Sequence, residues 1–301
     1  MDITKYLDTW AAAYRNDLIE NIMPFWMKFG LDRKHGGIYT CLDRDGKLMD
    51  STKSVWFQGR FGFIASYAYN HIEKKQEWLA ASKSCIDFIE THCTDIDGHL
   101  FFEVTEEGIP LRKRRYVFSE CFAAIAMSEY AIASGDKSYA TKALEIFKRT
   151  LKFLSTPGFL EPKYLPTLQS RGHSITMILI NTASRIREVI EDPVLDRQIN
   201  ESLTSIRQYF MHPEFKALLE MVGPKGELID TCNGRTINPG HCIETSWFIM
   251  EEARHRNWDK DLVQLALQIL DWSWEWGWDK EYGGIINFRD CKNFPPQDYS
   301  Q

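Results

Sequence analysis

An all-α array of helical hairpins, an (α/α)6 toroid or barrel with short β-hairpins between helices, is predicted by three features of this sequence. Segments 54–73, 116–133, 173–190 and 241–254 are apolar nearly all round a helix, the pattern of a helix buried on every side. Between them lie segments with a single apolar stripe at spacings of three, four and seven, which set one face on a core and the other in water. The all-round segments start at intervals of 62, 57 and 68 residues, so one supersecondary unit recurs along the chain. Counting four inner and five outer helices gives about nine of the twelve in a closed six-hairpin toroid. The expectation is therefore one domain, 1–301, an incomplete toroid lacking its C-terminal quarter.

Each element has its own signal. The first outer helix spans 3–29. His35-Gly36-Gly37-Ile38-Tyr39 then runs to a turn at Asp45-Gly46, a hairpin signal that enters the first inner helix. The outer helix 76–93 carries the stripe Trp78, Leu79, Cys85, Ile86, Ile89 and Cys93. Gly98-His99-Leu100-Phe101-Phe102, running to Glu107-Gly108, enters the second inner helix. Gly135-Asp136 closes that helix and caps the outer helix 136–154, whose stripe is Ala140, Ala143, Leu144, Phe147, Leu151 and Leu154. Asp192-Pro193 supplies an N-cap and a Pro at N1 for the outer helix 194–210, with Leu195, Ile199, Leu203, Ile206 and Phe210 on one face. Leu228-Ile229-Asp230, running to a turn at Asn233-Gly234, enters the fourth inner helix. Tyr282-Gly283-Gly284-Ile285-Ile286 repeats the first signal near the C-terminus.

Composition narrows the function. A net charge of −6 with no basic run argues against nucleic acid or an anionic membrane as partner. The longest purely apolar stretch is Met177 to Ile180, far too short to span a bilayer. Met1-Asp2-Ile3-Thr4-Lys5 has no apolar signal region. The seven cysteines (41, 85, 93, 121, 232, 242, 291) form no Cys-x-x-Cys pair, which fits a reduced, cytoplasmic protein. Phosphate-loop, serine-elbow and His-Glu-x-x-His zinc motifs are all missing, so no metal or redox cofactor is expected.

The polar residues that need an explanation cluster at the starts of the inner helices, because polar burial without partners is costly. Arg60 sits one turn into the first, beside Trp56; Glu120 sits in the first turn of the second; His173 opens the third. Asn238-Pro239-Gly240-His241-Cys242-Ile243-Glu244 opens the fourth. If inner helices run parallel in a ring, these residues converge at one mouth. Structural readings stand beside that one. Arg60 with Glu120 makes an inter-helix ion pair, His173 is a loop histidine, and His241 with Glu244 makes a capping box. Trp272, Trp274, Trp276 and Trp278 pack a helix exit or, less simply, wall a sugar site. Arg, Glu and His in an aromatic-rich helical ring suit acid–base chemistry on a sugar.

Four motifs resemble the N-acylglucosamine 2-epimerase family: Val55-Trp56-Phe57-Gln58-Gly59-Arg60, Tyr116-Val117-Phe118-Ser119-Glu120-Cys121-Phe122, Gly234 through Glu244, and Trp278-Asp279-Lys280-Glu281-Tyr282-Gly283-Gly284. The resemblance runs from about residue 5 to residue 301, and Asn-Pro-Gly-His-x-x-Glu is its most specific part. It implies an (α/α)6 barrel and reversible epimerisation at C2 between N-acetylglucosamine and N-acetylmannosamine. It also implies that His241 is one of two catalytic histidines, that Glu244 orients it or binds substrate, and that Arg60 holds the carbonyl oxygen. Glu120, Trp56, Asn238 and His173 become the substrate-binding candidates. The implied partner is a small sugar, the implied assembly a homodimer, and ATP an effector rather than a reactant. The family's motif for the second histidine has no counterpart here. Three alternatives therefore stay open: an epimerase or isomerase of unmodified sugars such as mannose or cellobiose, a non-catalytic sugar- or protein-binding remnant, and a glycosidase using Glu120 with Glu244.

Overall fold

In the computed structural model, which describes residues 2–113, 116–161 and 164–295, local chemistry places the helix ends largely as expected. Asp2 caps α1 (Ile3–Asp17) by accepting from the Thr4 and Lys5 amides. The predicted helix 3–29 is not one regular helix. It passes through π-type turns at Leu18–Ile22 and Trp26–Gly30, which flank the short α2 (Met23–Phe25). Pro24 explains the break, since proline has no amide to continue the ladder. Nor is α1 buried along its stripe; burial begins at Met23. There Leu18, Ile19 and Met27 pack round a core of Met23, Ala65, Ala68 and Trp78.

The chain groups into two compact units, Met1–Glu161 with Glu188–Ile190, and Pro162–Arg187 with Glu191–Gln301. The first is built on α3 (Val55–His71), α4 (Gln76–His92), α5 (Phe118–Ser134) and α6 (Lys137–Ser155). Helix α3 packs on α5, and each packs on the helix that follows it. The approach is close: a Cβ added at Gly59 of α3 would stand 2.6 Å from the Phe122 carbonyl carbon of α5. Gly135 ends α5 in the left-handed conformation at φ 75°, and Asp136 caps α6 through the Ser138 amide. Ala140, Ala143, Leu144 and Phe147 of the predicted stripe are buried, whereas Leu154 turns outward and Phe153 takes its place. Helices α5, apart from its C-terminal end, and α7 (His173–Arg187) of the second unit meet the expectation of burial on every side. Phe57, Ile64 and Tyr67 leave one face of α3 exposed.

The second unit repeats the plan with α7 (His173–Arg187), α8 (Pro193–Ser205), α9 (Pro239–His255) and α10 (Lys260–Gly277). Helix α7 packs on α8 and α9, and α9 packs on α10. Asp192 caps α8 with Pro193 at N1, and the whole stripe Leu195, Ile199, Leu203, Ile206 and Phe210 is buried. A Cβ at Gly277 would meet Pro239 at 2.5 Å, so glycine lets the end of α10 reach the start of α9.

Short antiparallel strands join the helices. Cys41–Leu42 (β1) pairs with Leu48–Asp50 (β2), and Lys53–Ser54 (β3) pairs with Glu103–Val104 (β4), which pairs with Pro110–Arg112 (β5). Thus the turns at Asp45-Gly46 and Glu107-Gly108 are hairpins. The third proposed hairpin is not one. Residues 228–230 form no strand, and the segment after Gly234 pairs elsewhere. Arg171–Gly172 (β6) pairs with Met221–Val222 (β9), Met211–His212 (β7) with Ala217–Leu218 (β8), and Thr236–Ile237 (β10) with Arg289–Asp290 (β11). A Cβ at Gly234 would lie 2.0 Å from the Ile229 carbonyl oxygen, so this glycine serves a close approach rather than a two-residue hairpin turn.

The two Gly-Gly corners repeat bond for bond. Gly36 and Gly37 have φ of 83° and 73°, and Gly283 and Gly284 have 73° and 87°. Leu31 bridges Ile38 as Trp278 bridges Ile285, and Asp32 and Asp279 each accept two following amides. The first corner carries additional supports. Gln58 brackets Ile38 with an accepted and a donated bond, and buried Lys53 joins Asp32 at 2.7 Å and the Gly36 and Glu106 carbonyls.

Candidate active site

The strongest polar cluster lies in the second unit, round the start of α9. Asn238 accepts from the His241 amide at 3.1 Å as the N-cap, with Pro239 at N1. The cap is therefore Asn238 and not His241, which removes the capping-box reading of Glu244 and gives Asn238, a predicted substrate contact, a local structural task. The His241 ring is left free of capping duty and is partly exposed. Its Nδ1 lies 2.9 Å from Glu220 Oε1. A carboxylate only accepts, so Nδ1 carries the proton and Nε2 is the basic nitrogen.

Glu220, which the sequence did not single out, sits between β8 and β9. Its amide donates to the Thr236 carbonyl and its carbonyl accepts from the His173 amide, so the backbone is tied on both sides. The legible signal was a lone acid inside the run Ala217-Leu218-Leu219-Glu220-Met221-Val222, because a charge in an apolar run needs a partner. Burial works against the Glu220 carboxylate, yet the hydrogen bonds and charges of His173 and His241 outweigh it and hold the group well below its ordinary value. Burial likewise disfavours the His241 cation, but Glu220 prevails and raises its pKa. The orienting carboxylate is thus Glu220; Glu244 acts on His241 only as a further nearby charge.

His173 is not a loop histidine. It is the first residue of α7, fully buried, with Nε2 3.1 Å from Thr245 Oγ1, Nδ1 3.5 Å from Glu220 Oε1 and its ring against Phe210. His173, expected as a substrate contact, is thus buried beside Glu220. Cys242 is also buried, its thiol against the Leu218 carbonyl, and burial pushes its pKa well up.

Arg60, Trp56 and Glu120 belong to the first unit. Arg60 is exposed, its guanidinium 4.4 Å over the Phe122 ring. Trp56 packs among Phe102, Phe118 and Phe122 at 5.1, 5.2 and 5.9 Å. Glu120 is not Arg60's ion-pair partner. It is fully buried, accepts the Leu100 amide at 2.6 Å and lies 3.5 Å from His99 Nε2, while its Oε2 makes no hydrogen bond. It anchors the loop before α5 and is not open to a substrate. Burial pushes its pKa up to about 7 despite the Leu100 amide. Between the unfolded value of 4.5 and that value, the folded chain keeps a proton which the unfolded chain has released. Raising pH across this window therefore favours unfolding, by on the order of 3 kcal/mol. His99, held below its ordinary value by burial, works in the opposite direction. Urea unfolding of wild type and Glu120→Gln from pH 5 to 8 should show a steeper loss of stability in wild type; parallel curves would remove the argument.

Among the described residues no group of three His, Cys, Asp or Glu could hold a metal ion, and no helix is long and apolar enough to cross a membrane. Of the tryptophans, Trp274 and Trp278 stack at 4.9 Å on the exposed exit of α10, while Trp276 Nε1 donates to the Phe215 and Lys216 carbonyls.

The family profile of N-acylglucosamine 2-epimerase (GlcNAc 2-epimerase) matches residues 37–301. The chain belongs to that family. It is 28% identical over 298 residues to the N-acylglucosamine 2-epimerase of Rattus norvegicus, covering 96% of this chain and 71% of that protein. A cellobiose 2-epimerase of Ruminococcus albus is 31% identical over 139 residues, covering 46% of this chain and 35% of its own. The solved cellobiose 2-epimerase of Bacillus thermoamylovorans B4167 aligns with a TM-score of 0.83 at 20% identity, over 94% of this chain and 76% of that one. The family and these neighbours are sugar 2-epimerases, an isomerase class, and the fold class of alternating helical hairpins is theirs.

Proposed function

We propose that this family member interconverts N-acetylglucosamine and N-acetylmannosamine, with His241 exchanging the C2 proton of the open-chain sugar. The observation that carries the reading is the Glu220–His241 bond, which leaves Nε2 basic on a partly exposed ring. The C2–H becomes acidic next to the aldehyde carbonyl. His241 Nε2 takes that proton, the C–H electrons form the C1–C2 double bond of an enolate, and the carbonyl oxygen gains the charge. Return of a proton to C2 from the opposite face restores the carbonyl and gives the epimer. Negative charge on that oxygen calls for a cation. The part taken by Arg60 and by its neighbour Trp56 is tested separately by substitution. The preference for an N-acetyl sugar over a cellobiose-type substrate rests on the match along almost the whole chain to N-acylglucosamine 2-epimerases, against the shorter matches to cellobiose 2-epimerases.

The test is proton NMR of N-acetylmannosamine in D2O with this chain, with and without ATP. Loss of the C2–H signal and growth of N-acetylglucosamine are expected, and His241→Asn should stop both. Loss of signal without epimer makes His241 a one-face base. No exchange by the folded chain, with exchange on mannose or cellobiose instead, moves the reading to unmodified sugars.

A further inference from the structure

Glu220 and His241 reach one another from different segments, and the end of the outer helix α10 touches the neighbours of both. On one side, the Trp276 indole Nε1 donates to the Phe215 and Lys216 carbonyls at 3.1 and 3.0 Å. Those carbonyls belong to the turn between β7 and β8, and β8 ends two residues before Glu220. Lys216 stands in that turn at φ 48°, a left-handed conformation that persists only where the surroundings hold it. On the other side, Gly277 packs against Pro239, whose side chain would lie 2.5 Å from a Cβ at that position. Pro239 follows the Asn238 cap and stands two residues before His241. The backbone closes the circuit. Arg289 Nε donates to the Trp276 carbonyl at 3.0 Å, and β11 pairs Arg289 with Ile237. The neighbouring Thr236 carbonyl accepts from the Glu220 amide at 3.1 Å.

We propose that Trp276 is a positioning residue for C2 exchange, holding the β7–β8 turn so that Glu220 meets His241 at hydrogen-bond distance. This inference rests on the reading of His241 as the C2 base. The strands on either side of Glu220 are two residues long, too short to set the place of its carboxylate by themselves. One rigid indole N–H that reaches two successive carbonyls supplies the missing constraint. Without it the turn loses a donor to both carbonyls, and Lys216 is free to relax toward an ordinary backbone conformation, carrying β8 and the Glu220 that follows it. The 2.9 Å bond from His241 Nδ1 to Glu220 Oε1 then lengthens. The titratable groups round His241 are Glu220 from the β8–β9 connection and Glu244 and Cys242 from α9, with His173 of α7 behind Glu220. A substitution at position 276 alters none of them, so a change at His241 reports its distance from Glu220.

The test applies two readouts to Trp276→Phe, which keeps an aromatic ring but loses the N–H: exchange kinetics on N-acetylmannosamine in D2O, and nitrogen-15 NMR of the histidine rings in the full chain. The kcat for C2 exchange should fall roughly 10²-fold, the cost of a misplacement of about 1 Å, with KM little changed. A longer bond to Glu220 weakens the charge that raises His241 basicity, so the proton affinity of His241 should fall roughly tenfold. The acid limb of kcat/KM should move to lower pH by the same factor. Gly277→Ala, which pushes on Pro239 from the other side, should shift both readouts in the same direction and stands in if Trp276→Phe does not fold. Ile269→Val, which removes one methyl group from the buried face of the same helix, should lower stability and leave the His241 midpoint in place. A midpoint unmoved in the folded Trp276→Phe and Gly277→Ala proteins overturns the proposal, even where activity is lost, as does a midpoint moved equally by Ile269→Val. If the midpoint moves as expected while no form exchanges sugar, wild type included, the base reading fails and the positioning of Glu220 stands.

Discussion

Glu220→Gln is expected to lower the turnover number for C2 exchange by about 10³-fold while the protein stays folded. The carboxylate fixes which His241 nitrogen is basic, because it can only accept from Nδ1. A glutamine can present its NH2 to Nδ1 instead, which moves the ring hydrogen to Nε2 and leaves no lone pair for the C2 proton. If the amide oxygen faces Nδ1, the tautomer survives but the charge that raises His241 basicity is gone. The first arrangement removes general-base catalysis, worth about 10²–10⁴, and the second weakens it, so a loss near the middle of that range is expected. The measurement is exchange kinetics with a circular-dichroism check on fold. A Glu220→Gln protein that exchanges at the wild-type rate would return the orienting role to Glu244.

Lys53→Met should be the most damaging single change to stability in the first unit. Both Lys53 and Asp32 are buried, and Lys53 Nζ donates to Asp32, Gly36 O and Glu106 O at 2.7 to 2.8 Å, with the Phe88 ring 4.2 Å away. Burial works to raise the Asp32 pKa; Lys53 and the His35 and Lys34 amides overcome it and hold the carboxylate ionised. Methionine fills the space but leaves that carboxylate buried with no counter-charge and two carbonyls without a donor. Breaking one side of a buried pair costs about 3–5 kcal/mol, whereas removing both sides is far milder. Urea unfolding should therefore show Lys53→Met well below wild type and Asp32→Asn/Lys53→Met partly restored. Equal stabilities of wild type and the single variant would mean that water reaches the site.

Most helix positions, the Asp192, Gly135 and Asp136 caps and the Gly-Gly corners were decided by the sequence itself. Each depends on residues within a turn or two of one another: apolar spacing for the stripes, an N-cap oxygen three residues from an amide, glycine where φ is positive. The resemblance of the motifs to a sugar epimerase family was legible for the same reason, since each motif is contiguous. Tertiary structure alone decided the partners. Glu220 precedes His241 by 21 residues and His173 by sequence stands 72 residues from Thr245, and no periodicity links such positions. Glu120 and His173, which open their helices as candidate substrate contacts, turned out to be buried. The Asn233-Gly234 signal likewise failed as a hairpin, because β10 found its partner in β11 rather than upstream. Local geometry follows from bonded neighbours and their sterics; burial and protonation state follow from which distant groups the chain brings into contact, and these set what each side chain can do.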